Sequence, residues 1–182
     1  MPKSGTLMKF MANLSQLQNE LGISNIHALP RIEKVVLNAG LGRLAAGASK
    51  PLDFFKTASE ELALIAGQRP IITRAKKSIA SFKVRQGQPL GLKVTLRGRR
   101  MRDFIERLIK VVLPRSRDFK GIDLKSVDKS GNLTIGVREH LIFPEVAEVS
   151  RGLGFEVTIV TNASSREEAV KLYRALGFPL KK

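Results

Sequence analysis

Residues 90–114 run LGLKVTLRGRRMRDFIERLIKVVLP, and two different periods meet inside them. From Leu90 to Arg97 the pattern alternates. Leu90, Leu92, Val94 and Leu96 face Gly91, Lys93, Thr95 and Arg97, the two-residue repeat of a strand with one buried side. The repeat then changes to helical spacing, with Met101, Ile105, Leu108 and Val112 as the apolar stripe. Arg99, Arg102, Asp103, Glu106, Arg107 and Lys110 cover the other side, and Pro114 is expected to end the helix.

Upstream, Leu7, Met11, Leu14, Leu17 and Leu21 repeat at helical spacing until Gly22. After Pro30, the β-branched stretch Ile32–Asn38 is a strand. Residues 39–50, AGLGRLAAGASK, are small and Gly-rich, so a loop is expected. Pro51 suits a first helical position. Leu52, Phe55, Leu62 and Ile65 mark one face of a helix ending at Gly67. Ile71–Arg74 is a short strand, and the polar, basic Ala75–Pro89 a long loop or hairpin.

Downstream, Ile122–Asp128 and Leu133–Arg138 are expected as two strands around the turn KSGN. Phe155–Thr161 (FEVTIVT) is a further strand. Ser165 and Glu168 form a capping box opening a last helix, with Ala169, Leu172, Tyr173 and Leu176 inward and Gly177 closing it. Strands and helices mix without strict βαβ alternation. The fold class is therefore α+β, an antiparallel or mixed sheet with helices packed on one face and a long basic loop. The expected organisation is a helical arm over 1–29 and a single α+β domain over 30–182.

The 182 residues contain no cysteine, which removes disulfides, thiolate zinc sites and cysteine nucleophiles. No apolar run approaches the roughly 20 residues that cross a bilayer. The N-terminus lacks the continuous apolar core and small-residue cleavage site of a secretory signal.

Charge narrows the function. The chain carries 32 basic and 16 acidic residues, net +16. From Leu62 to Arg102 there is no Asp or Glu, yet Arg69, Arg74, Lys76, Lys77, Lys83, Arg85, Lys93, Arg97, Arg99, Arg100 and Arg102 all lie there. The window 69–117 nets +13, against +3 for everything outside it. Eleven cations without a counter-charge in sequence repel one another, and a polyanion that neutralises them is the simplest reason to keep them.

Enzymatic readings fail on their own chemistry. Gly40-x-Gly42-x-x-Ala45 follows a strand, like a dinucleotide fingerprint. The expected helix starts only at Pro51, however, and the acids some 20 positions on, Glu60 and Glu61, sit inside it. His27 and His140 stand apart without an acidic cluster and are expected as surface or core filler. Glu60–Glu61 and Glu167–Glu168 are adjacent pairs that point to different helix faces, so neither makes an acid/base couple. Phe82, between Lys77 and Lys83, could stack on a base or pack in its loop. No catalytic residue, metal site or cofactor is assigned.

Five segments then follow in a characteristic order: KVVLNAGLG (34–42), IAGQRPIITRAKKSIASFKVRQGQPLGLKVTLRG (65–98), FIERLIKVVLPRSRDFKG (104–121), REHLIFPE (138–145) and VTIVTNA (157–163). Over Pro30–Pro179 the chain resembles the large-subunit ribosomal protein five family, in its bacterial or organellar form. That family carries 5S rRNA in the central protuberance.

The resemblance implies a curved antiparallel sheet with helices on one side. Its implied partners are 5S rRNA, 23S rRNA, peptidyl-site tRNA and neighbouring ribosomal proteins, on a ribosome of the cytoplasm or an organelle and away from membranes. By the family's motifs Asn38, Gln68 and Thr95 face 5S rRNA. Lys34, Gly40, Gly42, Arg69, Lys93 and Arg97 are expected to join them. Arg74, Lys76, Lys77, Ser78, Lys83 and Arg85, in the loop Arg74–Gln88, are expected to reach tRNA. Two stretches depart from the family: the opening helix LMKFMANLSQLQNELG, and a shortened stretch between Glu145 and Phe155. Another class of function, a free-standing basic RNA chaperone without a fixed site, fits the composition equally well.

Overall fold

A computed structural model describes residues 17–46, 51–116, 119–138, 140–146 and 152–181. The first part of the expected opening helix and most of the stretch after Glu145 that is expected to be shortened lie outside the described residues. The elements are β1 (Ile32–Gly40), α1 (Gly42–Ala46), α2 (Pro51–Ala66), β2 (Ile71–Arg74), β3 (Pro89–Leu96), α3 (Gly98–Arg107), β4 (Leu133–Val137), β5 (Phe155–Thr161) and α4 (Arg166–Ala175). The strands form one sheet in the order β2-β3-β1-β5-β4, antiparallel and open, so the fold is α+β as expected.

The chain divides into two compact units. One comprises the described parts of 35–115 and 136–157. There β1 and β3 pair antiparallel, with Val35 opposite Leu96, Leu37 opposite Val94 and Ala39 opposite Leu92, and all six are buried. Helix α2 lies against β3 and buries Phe55, Ala58, Leu62 and Ile65. Leu52, expected on that face, is 75% exposed instead. It stands one residue into the helix, where Phe55 already begins the buried stripe.

The stripe Met101, Ile105, Leu108 and Val112 is buried as its spacing requires. Past Arg107 the helix widens into a π-helical turn, Leu108–Val112, and finishes as an α-turn, Leu113–Arg115. Pro114 therefore does not end it. The proline has no N–H for the carbonyl of Lys110, and the turn ahead of it is the widened one.

The expected loop 39–50 contains α1. Leu41 and Ala45, four apart and both buried, draw that turn inward, and the Ala45 N–H bonds the Leu41 carbonyl. A helix thus begins at Gly42, nearer the glycines than the sequence suggested. It is only five residues long and follows a strand paired antiparallel, so the dinucleotide arrangement is still missing.

His140 is fully buried and does more than fill space. Its Nδ1 accepts the Leu153 N–H at 2.9 Å, and Nε2 lies 3.3 Å from the Glu61 carboxylate. One turn along α2, the Ile65 carbonyl accepts from Arg107, whose guanidinium also pairs with Glu145. Two polar ties therefore hold the segment 140–146 against helices of this unit.

The other unit comprises the described parts of 1–34, 116–135 and 158–182. Leu17, Leu29 and Leu172 form its buried cluster, with Leu21, Ile23 and Ile32 packed around them. The N-cap half of the capping box is present, with Ser165 Oγ accepting from the Glu168 N–H, while the Glu168 carboxylate reaches one residue further back and accepts from the Ser164 N–H. Tyr173 donates its hydroxyl to the Gly131 carbonyl at 2.9 Å, which also accepts from Thr161 Oγ. Burial pushes this phenol above the usual tyrosine range. Gly131 itself has φ +78, and a Cβ there would come within 2.8 Å of Ala169 Cβ.

The strand expected over Ile122–Asp128 is a 3-10 turn, Leu124–Ser126, flanked by single bridges at Ile122 and Val127. The Asp123 carboxylate accepts from the Lys125 N–H and so draws the backbone into a turn in place of a ladder.

Candidate nucleic-acid interface

Because strand side chains alternate, burying Val35, Leu37 and Ala39 leaves the intervening positions of β1 on the opposite side. The register places Val36 opposite Thr95, Asn38 opposite Lys93 and Gly40 opposite Gly91. Asn38, Gly40 and Lys93 are exposed and Thr95 is half-buried. β2 continues this side, with Ile71 opposite Lys93 and 74% exposed. The result is a strip of amide, hydroxyl, ammonium and bare glycine backbone.

Gly91 is fixed by close approach. A Cβ there would collide with the Ala39 carbonyl oxygen and come within 3.1 Å of Thr73 Oγ. Gly40 meets no such limit, since a Cβ on it would find nothing within 4 Å.

Gln68 follows Gly67, whose φ of +64 closes α2. Its amide has partners within the protein. Nε2 donates to the Thr95 carbonyl at 3.4 Å, and Oε1 accepts from Arg100 at 3.5 Å. Gln68 thus lies beside the Thr95 backbone, and the structure brings these two expected site residues together. Arg69 and Arg97 are exposed nearby in sequence. Gly42 falls elsewhere, at the start of α1 against the Leu90 side chain, 3.5 Å from its would-be Cβ. Lys34 belongs to the other unit and is half-buried.

The basic loop is a small hairpin. Ile79 bridges Val84, and a 3-10 turn spans Ala80–Phe82. Lys83 takes the left-handed conformation, φ 53. Arg74 donates to the Gly87 carbonyl at 3.0 Å and closes the neck. Ser78 Oγ accepts the Gln86 N–H at 2.9 Å, so this hydroxyl helps to hold the hairpin. Lys76, Lys77, Lys83 and Arg85 are exposed, and Phe82 at the tip is 75% exposed.

Ion pairing separates two sets of cations. Arg107 and Lys110 have carboxylate partners in Glu145 and Glu106. Of the eleven cations between Leu62 and Arg102, Arg99 alone pairs with a carboxylate among the described residues, with Asp103 at 3.7 Å. Among the described residues the other ten cations of the acid-free window thus have no carboxylate partner in space either.

The geometry also shows a groove that sequence patterns missed. Asn38, Gly40, Gly136, Arg138, Gly154 and Glu156 line it. Its residues come from three separate strand regions, and nothing in a single sequence gives that register. The one signal was Glu156, the only charged residue of FEVTIVT.

Among the described residues no group of three or more His, Cys, Asp or Glu could hold a metal ion. No helix among them is long and apolar enough to cross a membrane.

Comparison with known proteins agrees with this chemistry. Residues 25–85 match the family model described as Ribosomal protein L5, and residues 89–180 match the model of the same ribosomal family's C-terminus. A large ribosomal subunit protein uL5 from Synechococcus sp. (strain JA-2-3B'a(2-13)) is 48% identical over 181 residues, 98% of each chain. One from Symbiobacterium thermophilum is 52% identical over 165 residues, 90% of this chain and 89% of that one. One from Thermosipho melanesiensis is 48% identical over 168 residues, 91% and 90%. The chain belongs to the ribosomal protein L5 family, a structural component of the large ribosomal subunit and not an enzyme.

Proposed function

We propose that the exposed side of β1 and β3 binds 5S rRNA and, with 23S rRNA and neighbouring proteins, anchors it in the central protuberance. Asn38, Gln68 and Thr95 supply neutral hydrogen-bonding groups. Arg69, Lys93 and Arg97 supply charge, and Gly40 lets RNA come close to the backbone. Gly42 contributes by seating α1 beside that strip. The hairpin Arg74–Gln88 presents Lys76, Lys77, Lys83 and Arg85 to peptidyl-site tRNA, with Arg74 and Ser78 holding its shape. One observation carries this assignment: among the described residues the cations of the acid-free window lack carboxylate partners, Arg99 excepted, and one of them, Lys93, lies opposite Asn38 on the exposed side. Phosphate contacts give affinity, while neutral groups on sugar hydroxyls and base edges distinguish one RNA from another.

The test is competition between 5S rRNA and an unrelated RNA of equal length as salt is raised. Preference for 5S rRNA is expected, with affinity falling steeply, since each neutralised phosphate contributes about 0.7–0.9 to the log–log salt slope. Equal affinity for both RNAs near physiological salt would instead support a chaperone without a fixed site.

A further inference from the structure

We propose that the groove beside Asn38 takes an unpaired guanine base of the bound RNA, with Glu156 as the group that recognises it. This inference rests on RNA binding by the exposed face, as proposed above.

Glu156 stands between buried Phe155 and Val157, so strand alternation turns it away from the core and into the groove. It is exposed and has no ion-pair partner among the described residues, although Arg138 lines the same groove. A free carboxylate is out of place on a face meant for phosphates, because like charges repel at close range. What it can accept from a nucleic acid is a set of N–H donors. Guanine alone among the four bases presents two adjacent donors, N1–H and N2–H, on its Watson–Crick edge, which matches the two oxygens of a carboxylate. That edge is free only when the base is unpaired.

The other walls suit the same occupant. Asn38 offers both a donor and an acceptor, and Arg138 supplies a cation for the nucleotide's phosphate. Gly40 and Gly136 make the floor. A Cβ on either would meet nothing within 4 Å, and neither has a positive φ. Neither packing nor backbone conformation therefore requires glycine there. A bare peptide floor against which a flat ring can lie is the remaining use for both.

The experiment titrates a 5S rRNA transcript with the full chain and with Glu156→Gln, Glu156→Ala and Gly136→Leu. Electrostatics alone predicts that losing a negative charge tightens RNA binding. The groove predicts the opposite: roughly tenfold or greater weakening for both Glu156 variants. Gly136→Leu, which fills the floor, should weaken binding similarly at unchanged melting temperature. If that variant misfolds, the Glu156 pair still decides.

Transcripts with guanosine partly replaced by inosine, which lacks the N2 amino group, should show one interfering position in the parent. That position should fall silent in Glu156→Ala. If both Glu156 variants bind as tightly as the parent or tighter, or if no inosine position depends on Glu156, the groove assignment is wrong while 5S binding stands. If the parent shows no preference for 5S rRNA, both fall together.

Discussion

Replacing Asn38 by Ala removes one amide that the protein does not use for its own folding. Asn38 is exposed, and its side chain has no hydrogen-bond partner among the described residues. Its neighbours Leu37 and Ala39 supply the burial, so the folded state should change by no more than about 0.5 kcal/mol. If the amide bonds RNA, its removal strands a partner in a dry contact. The cost is then about 1–3 kcal/mol, or about 5- to 150-fold in affinity. No charge is lost, so the salt slope should stay that of the parent.

Lys93 lies directly opposite Asn38 and gives the control. Lys93→Ala should lower the slope by about 0.7–0.9 if its ammonium meets a phosphate, and its effect should fade as salt rises. The assay is equilibrium titration of 5S rRNA between roughly 50 and 200 mM salt, with a thermal melt of each free protein. Two residues facing each other across one strand pair should thus give opposite signatures. If Asn38→Ala binds like the parent, or alters the slope as Lys93→Ala does, the division of labour on this face is wrong.

The hairpin and the close-packed strand pair provide further tests. Lys76→Ala with Lys77→Ala should leave the isolated 5S complex within about twofold, because both are exposed on the hairpin. The same double variant should reduce peptidyl-site tRNA occupancy in assembled ribosomes, and a large loss of 5S affinity would assign the hairpin to the wrong RNA. Gly91→Ala should destabilise the fold by about 1–3 kcal/mol, because its Cβ would collide with the rigid Ala39 carbonyl rather than a movable side chain. An unchanged thermal melt for Gly91→Ala would show that β1 and β3 can separate without cost.

Elements with a long single period were legible from sequence. Leu90–Leu96 and the stripe Met101–Val112 declared themselves because burial on one side forces the repeat. Where a side chain competed with the backbone, the pattern misled. Asp123 turned an apparent strand into a 3-10 turn, and Leu41 with Ala45 pulled a helical turn out of an apparent loop. Pairing across the chain was not legible at all. His140 with Glu61, Arg107 with Glu145, and the groove lined by Asn38, Gly136 and Glu156 depend on register and packing. The charge window was visible from composition, whereas Asn38, Gln68 and Thr95 stood out only through the family's motifs. Gln68 shows the limit of such transfer: its amide also lies against the Thr95 carbonyl and Arg100, so part of its role is to hold that corner of the face.

The distribution of ionic contacts explains how so basic a chain folds before it meets RNA. Exposed ion pairs contribute little, so leaving the cations of the window unpaired sacrifices almost no pairwise stability. Their mutual repulsion is the larger cost, and placing them on exposed positions of strands, the basic hairpin and the first turns of α3 keeps them in water, where it is screened. The polar ties the fold does use are of a different kind. His140 is buried against Glu61, where a broken tie would strand its partner, and the half-buried Arg107 joins Glu145 to the Ile65 carbonyl. Buried and half-buried groups therefore fix the segment 140–146 and the helices it packs on. Exposed cations of the window, Arg99 excepted, remain without a carboxylate partner among the described residues, and the free energy of neutralising them is released only when a polyanion arrives. A fold that had paired those cations internally would have gained little stability and would have had to break each pair in order to bind.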